Sequence, residues 1–233
     1  MNDDPRLRAA QNVVFIQCVG SRDETHPYCS KVCCTHSVES ALELKRRNPD
    51  INVYVLYRDM RTYGKREDLY REARKAGILF VRYALQEKPK ISDSGDQVRV
   101  VFRDPILDRE LAVEADFLCL ATAIVSCHEQ NLAQFFKVPM EADGWFLEPH
   151  QKLRPGDCAH HRGFLCGMNH YPKPLDESIA QAQAAASRAL TVLAMDTINV
   201  GGVVCHIDPD LCAGCLACMN VCPYGAISED KEK

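Results

Sequence analysis

The sequence predicts an α/β fold built on a parallel sheet, followed by a small cysteine-rich module. Three observations predict it. Short β-branched runs alternate with amphipathic segments over the first half of the chain, the order strand–helix–strand–helix–strand. Strands joined through helices must run parallel, with right-handed crossovers. Near the C-terminal end, four cysteines crowd between positions 212 and 222.

The elements follow in order. VVFIQCVG (13–20) is a β-branched run ending in Gly, the pattern of a buried strand. A polar loop bearing cysteine comes next. CCTHSVESALELKRR (33–47) places Val38, Ala41, Leu42 and Leu44 at near-helical spacing, with a basic end suited to a helix C-terminus. INVYVLYRDM (51–60) is a second strand. REDLYREARKAG (66–77) is an amphipathic helix closed by Gly77, and ILFVRYA (78–84) is a third strand. QVRVVFRD and RELAVEADFLCLAT read as a hairpin feeding a last core strand, with a turn at Asp104-Pro105. A loop-rich stretch follows, then GFLCG (163–167), a further strand-to-Gly signal. DESIAQAQAAASRALTVLA (176–194) is a helix with Asp176 as N-cap. Its face of Ile179, Ala182, Ala186, Ala189, Leu190 and Leu193 is small enough to pack closely on a sheet. Gly201-Gly202 reads as a hinge before the cysteine module.

Composition excludes several classes. The 233 residues carry 28 basic and 32 acidic side chains, a net charge of −4, without the basic footprint of a nucleic-acid binder. The longest apolar stretch, around Phe117 to Cys127, falls short of the roughly 18 residues that span a bilayer. The polar start MNDDPRLRAA does not read as a secretory signal, so the expected setting is a reducing cytoplasm. The lone Trp145 and the basic run Lys45-Arg46-Arg47 read as packing and a solvated helix end. His160 and His161 fall in an irregular polar loop.

Thirteen cysteines are too many for a reduced protein with incidental thiols only. Cys119, Cys127, Cys158 and Cys166 stand singly and read as small hydrophobes. The others cluster. Cys212, Cys215, Cys218 and Cys222 have the spacing C-x2-C-x2-C-x3-C, followed by Pro223. That is the bacterial ferredoxin run for a [4Fe–4S] cluster. Three thiolates on a tight loop reach three irons of one cubane, and Gly214 lets the backbone come close. In two-cluster ferredoxins the fourth cysteine of such a run serves the other cluster. Here the fourth ligand is Cys222, Cys205 or a residue from a partner. A second set, Cys18, Cys29, Cys33 and Cys34, spans a strand end, a loop and a helix start, where partial positive charge favours thiolates. From spacing alone it is a metal site, a redox disulfide or a set of incidental thiols.

At these residues the sequence resembles a known family. FIQCVGSRD, YCSKVCC, VYVLYRDMRTYG, GWFLEPHQKLRP, FLCGMNHYPKPLDESIAQAQAAASRA and the ferredoxin run resemble the second half of the A-type subunit of heterodisulfide reductase and its bacterial relatives. The resemblance implies a thioredoxin-reductase-like flavoprotein core. Its division would be a Rossmann-like domain (1–122), the closing part of an FAD-binding domain (123–202) and a ferredoxin-type module (203–233). It implies a non-standard [4Fe–4S] site on Cys18, Cys29, Cys33 and Cys34, hence two clusters with the C-terminal run. It also implies FAD, approached by Thr122, Ala123 and Ile124 and by Gly167, Met168 and His170. Family members pass electrons between partner subunits, in several cases by flavin-based electron bifurcation.

Two departures stand out. The Gly-rich G-x-G-x-x-G turn that holds the FAD pyrophosphate is absent from this sequence, so a partner chain would supply that half. Glu39 stands where relatives commonly carry Lys, and a carboxylate there disfavours an anionic flavin. That departure bears on bifurcation, not on electron transfer. The expected role is an iron–sulfur electron-transfer subunit of a heterodisulfide-reductase-like complex. An iron–sulfur redox-sensing module and a zinc-stabilised scaffold are the other readings.

Overall fold

A computed structural model of the chain describes residues 5–158, 163–197, 205–222 and 226–229. The Gly201-Gly202 hinge, His160, His161 and Pro223 lie outside the described residues. The chain divides into two compact units, Met1–Ala194 and Met195–Lys233.

In the first unit, α1 (Pro5–Ala9) leads into β1 (Asn12–Val19), α2 (Cys33–Arg47), β2 (Asn52–Tyr57), α3 (Glu67–Lys75) and β3 (Leu79–Arg82). Then come β4 (Lys90–Asp93), β5 (Val98–Asp104), β6 (Arg109–Ala115) and β7 (Phe117–Thr122). The parallel sheet has the order β3-β2-β1-β7, and β4-β5-β6 form a separate antiparallel sheet. The expected strand–helix alternation is therefore present. The last strand, β7, leaves the hairpin to pair with β1 on the side away from β2.

Period-2 alternation along β1 explains the layering. Val13 and Phe15 join Val38, Ala41 and Leu42 of α2 in one core. Val14 and Ile16 face the other way, onto Val100, Phe102 and Ala115 of the antiparallel sheet. Helices thus cover one face of the parallel sheet and the small sheet covers the other. Gly77, at φ +79, ends α3 in the left-handed region as its position suggests.

The rest of the first unit is less regular. The chain forms α4 (Gln130–Phe136) within the stretch read as loop, because Lys137 at φ +53 closes a short apolar turn. Segment 163–167 does not form a ladder strand. Phe164 makes one bridge to Asp157, and Gly167 turns at φ +70 into a 3-10 turn over Gly167–Asn169. Three residues between two glycines are too few to hold a register. The long helix, α5, is Leu175–Leu193. Its N-cap is Pro174, not Asp176, which lies inside the first turn and pairs with Arg66. None of its residues is buried among the described residues, and Leu190 and Leu193 are exposed. Its small face therefore packs on no sheet of the described residues.

In the second unit, α6 (Ala217–Val221) follows a loop with Gly214 at φ +66 and Leu216 at φ +58. These left-handed residues coil the backbone tightly between the cysteines. No described helix is long and apolar enough to cross a membrane.

Candidate metal centre

The four N-terminal cysteines come from the C-terminal end of β1, the following loop and the first turn of α2. β1 pairs regularly with β7 as far as Ile16, then shifts register before Val19. Cys18 sits in that irregularity at φ +60, a conformation costly for a residue with a Cβ. Arg22 (φ +57) and Lys31 (φ +63) share it. Three non-glycine residues of one loop thus adopt the left-handed region, each at a conformational cost. The turn 30–32, closed by Val32 N–H to the Ser30 carbonyl at 2.7 Å, starts α2 at Cys33.

The thiols act on one another. Burial, reinforced by the neighbouring Cys34, Cys29 and Cys18, pushes Cys33 up to about 12. Burial also raises Cys34, opposed by the Arg61 backbone N–H. Cys18 is raised by burial and opposed first by the Arg22 guanidinium. Without metal these three thiols stay protonated at neutral pH. A cationic core would draw the protons off, so loading is linked to proton release. Sulfur acceptors are already served: Lys31 N–H donates to Cys29 Sγ at 3.3 Å.

Among the described residues no three Cys, His, Asp or Glu side chains converge closely enough to hold a single metal ion. The ligands of a four-iron core stand on separate irons, farther apart than sulfurs round one zinc. Arg22 Nη1 and both polar atoms of Gln17 are buried with no hydrogen-bond partner. Buried donors without acceptors are rare and costly. The residues fit a sulfur-rich, negatively charged group.

The expected flavin-edge residues lie round the same loop. Ile124 N–H donates to Ser30 Oγ at 2.9 Å, and Tyr28 OH donates to the Ile124 carbonyl at 3.0 Å. Ala123 N–H bonds the Val19 carbonyl at 2.9 Å, while Thr122 is exposed. On the other side, Gly167 N–H donates to Gln181 Oε1, and Gln181 also bonds His170 Nδ1 at 2.8 Å. His170 Nε2 is 3.5 Å from the buried Glu148, and burial lowers the imidazole pKa. Met168 is exposed, and Gly167 faces open space. Lys31 ties the loop to Glu177 of α5 at 3.2 Å, and Tyr63 OH donates to the same carboxylate. The loop 28–31 thus bonds Ile124 on one side and Glu177 of α5 on the other. Glu39 is exposed on α2, 3.9 Å from His36, and does not enter the cysteine site.

In the second unit Cys205, Cys212, Cys215 and Cys218 are exposed and Cys222 is half-buried. The Cys222 N–H bonds the Cys218 carbonyl at 3.1 Å as α6 ends. Of the isolated cysteines, Cys158 lies in a small core with Val138 and Leu165, and Cys119 packs under α2. Cys127 and Cys166 are exposed. Sequence reading singled out neither Gln17 nor Arg22. The signal was a Gln in an otherwise apolar strand.

Residues 206–228 match the 4Fe-4S binding domain family. A protein of Archaeoglobus profundus, similar to the A-type subunit of heterodisulfide reductase, is 37% identical over 96% of this chain and 32% of its own length. The second A-type iron–sulfur subunit of CoB–CoM heterodisulfide reductase in Methanopyrus kandleri is 36% identical over 93% of this chain and 34% of its own. The chain is related to the A-type subunits of heterodisulfide reductase. It spans about a third of the length of these curated relatives. The fold is that of thioredoxin reductase: the Thermoplasma acidophilum (T. acidophilum) enzyme superposes with a TM-score of 0.50 at 13% identity, over 81% of this chain and 54% of that one.

Proposed function

We propose that this chain is an electron-transfer subunit of a heterodisulfide-reductase-like complex carrying two [4Fe–4S] clusters. The observation that carries the reading is its relation, over nearly its whole length, to subunits named for heterodisulfide reductase. One cluster would be held by Cys18, Cys29, Cys33 and Cys34. The other would be held by Cys212, Cys215 and Cys218, with Cys222 as the fourth ligand in preference to Cys205 or a partner residue. The clusters supply one-electron storage, and the protein sets its cost through charge and hydrogen bonds at sulfur. The chain's own residues do the positioning. The irregular end of β1 presents Cys18, the 30–32 turn presents Cys33 and Cys34, and Lys31 ties this loop to α5.

FAD is the expected exchange partner for the N-terminal cluster. Thr122, Ala123, Ile124, Gly167, Met168 and His170 would line one wall. A partner chain with the Gly-rich half would supply the other and cover α5. The division at 122/123 and 202/203 belongs to this proposal, as does a cytoplasmic setting that keeps the thiols reduced. Glu39, exposed on α2, supports plain electron transfer over bifurcation at this flavin.

The test is iron, acid-labile sulfide and flavin per chain after anaerobic purification of the protein expressed alone. About eight irons and eight sulfides with little flavin are expected, two cubanes by cysteine count. Zinc without sulfide would overturn the function and leave a structural metalloprotein.

A further inference from the structure

Gln17 is fully buried, and neither its Oε1 nor its Nε2 has a hydrogen-bond partner. An amide shut away like this costs about 1–3 kcal/mol unless something satisfies it. The alternation that sets Val13 and Phe15 beneath α2 carries Gln17 to the same face. The first two turns of α2 carry the buried Cys33, Cys34 and Ser37. Arg22 repeats the pattern beyond Cys18. Its Nη2 donates to Asp59 Oδ2 at 2.5 Å, while Nη1 is buried without a partner. Asp59 is held in turn by Arg82 at 3.3 Å, and its backbone carbonyl lies 3.8 Å from Cys34 Sγ. The guanidinium lies against the Cys18 thiol. Gln17, an amide without a partner, thus precedes Cys18 in the chain, and the Arg22 side chain already bonds the Cys18 thiol.

We infer that Gln17 and Arg22 are hydrogen-bond donors to the sulfur atoms of the N-terminal cluster, and that they set its reduction potential. The inference rests on the ligand assignment proposed above. A reduced cluster carries more negative charge on its sulfurs than an oxidised one. Donors aimed at those sulfurs therefore favour the reduced form. Arg22 adds a fixed positive charge held in place by Asp59. Gln17 adds a neutral donor from a dry position, where a hydrogen bond is stronger than in water.

The test compares Gln17→Met and Arg22→Gln with the full-length wild type, all anaerobically purified. EPR-monitored redox titration gives each cluster's midpoint, and melting of the iron-free chain gives its stability. Both variants are expected to keep about eight irons. Each is expected to lower the N-terminal midpoint by a tenfold change in the reduced-to-oxidised ratio, about 59 mV for one electron. The C-terminal cluster should not move. The iron-free Gln17→Met chain should melt no lower than wild type, since it loses an unsatisfied amide. Arg22→Lys keeps the charge and should recover part of the shift. Full iron with unchanged midpoints would overturn the donor role, and Gln17 would then be satisfied by buried water. A wild-type chain with about four irons, and no change on Cys33→Ser with Cys34→Ser, would instead overturn the ligand assignment beneath it.

Discussion

At the scale of the residue, the two sets of cysteines are built differently although both suit sulfur clusters. Cys33 and Cys34 are buried at the head of α2, whereas Cys212, Cys215 and Cys218 lie open to solvent. In the iron-free chain, thiol reactivity follows access and thiolate fraction. Iodoacetamide labelling at neutral pH, mapped by mass spectrometry, should therefore modify the C-terminal three first, with Cys33 and Cys34 lagging at least tenfold. Equal rates would mean that the N-terminal loop is open without its metal. The ferredoxin run was legible because its chemistry is local: four ligands sit within one short loop. The N-terminal set was legible only as a choice among metal, disulfide and incidental thiols. Its members are brought together by a register shift in β1 and by left-handed residues at Cys18 and Lys31, which no local pattern announces.

At the scale of the element, polar ties hold both ends of α5 to the rest of the first unit. Asp157 is buried and bonds Arg188 of α5 at 2.9 Å and Arg154 at 3.0 Å. Arg188 first, then Arg154, hold its carboxyl below the usual carboxylate range. A carboxyl depressed in the folded state contributes stability above its unfolded value, near pH 3.9, and loses it as pH falls further. Asp157→Asn should cost about 1–2 kcal/mol at pH 7. It should also flatten the acid limb of the stability curve below about pH 4, read by denaturant melts across pH. At the other end of the helix, Glu177 joins Lys31 and Tyr63. The pair is half-exposed, so Glu177→Ala should cost only about 0.5–1 kcal/mol. Hydrogen exchange in the first turns of α5 should nonetheless rise, and an unchanged rate would show that Pro174 alone fixes the helix start. Apolar periodicity located α2 to the residue and α5 to within one. It missed α4 and β4, which are short and largely exposed, so tertiary context decides them. The small face of α5 also reads as suited to packing on a sheet, since small residues in a row read the same whether or not a sheet lies against them.

At the scale of the whole molecule, the first unit is complete on one side and open on the other. The parallel sheet has both faces covered, by α2 and α3 and by the antiparallel sheet. By contrast, no residue of α5 is buried, and Phe135 and Phe136 of α4 stand exposed. The alternation of strands and helices gave the sheet and its parallel sense from sequence alone. The separate pairing of β7 beside β1 depended on long-range contacts that periodicity does not encode. The central claim is that the Cys18, Cys29, Cys33 and Cys34 loop holds a cluster of its own. The most direct measurement is iron and sulfide content, with EPR of the dithionite-reduced protein, for the wild type and for Cys33→Ser with Cys34→Ser. If the loop holds a cluster, iron falls from about eight to about four, with the loss of one EPR signal and retention of the ferredoxin-type one. Unchanged iron, with both signals intact, would contradict it.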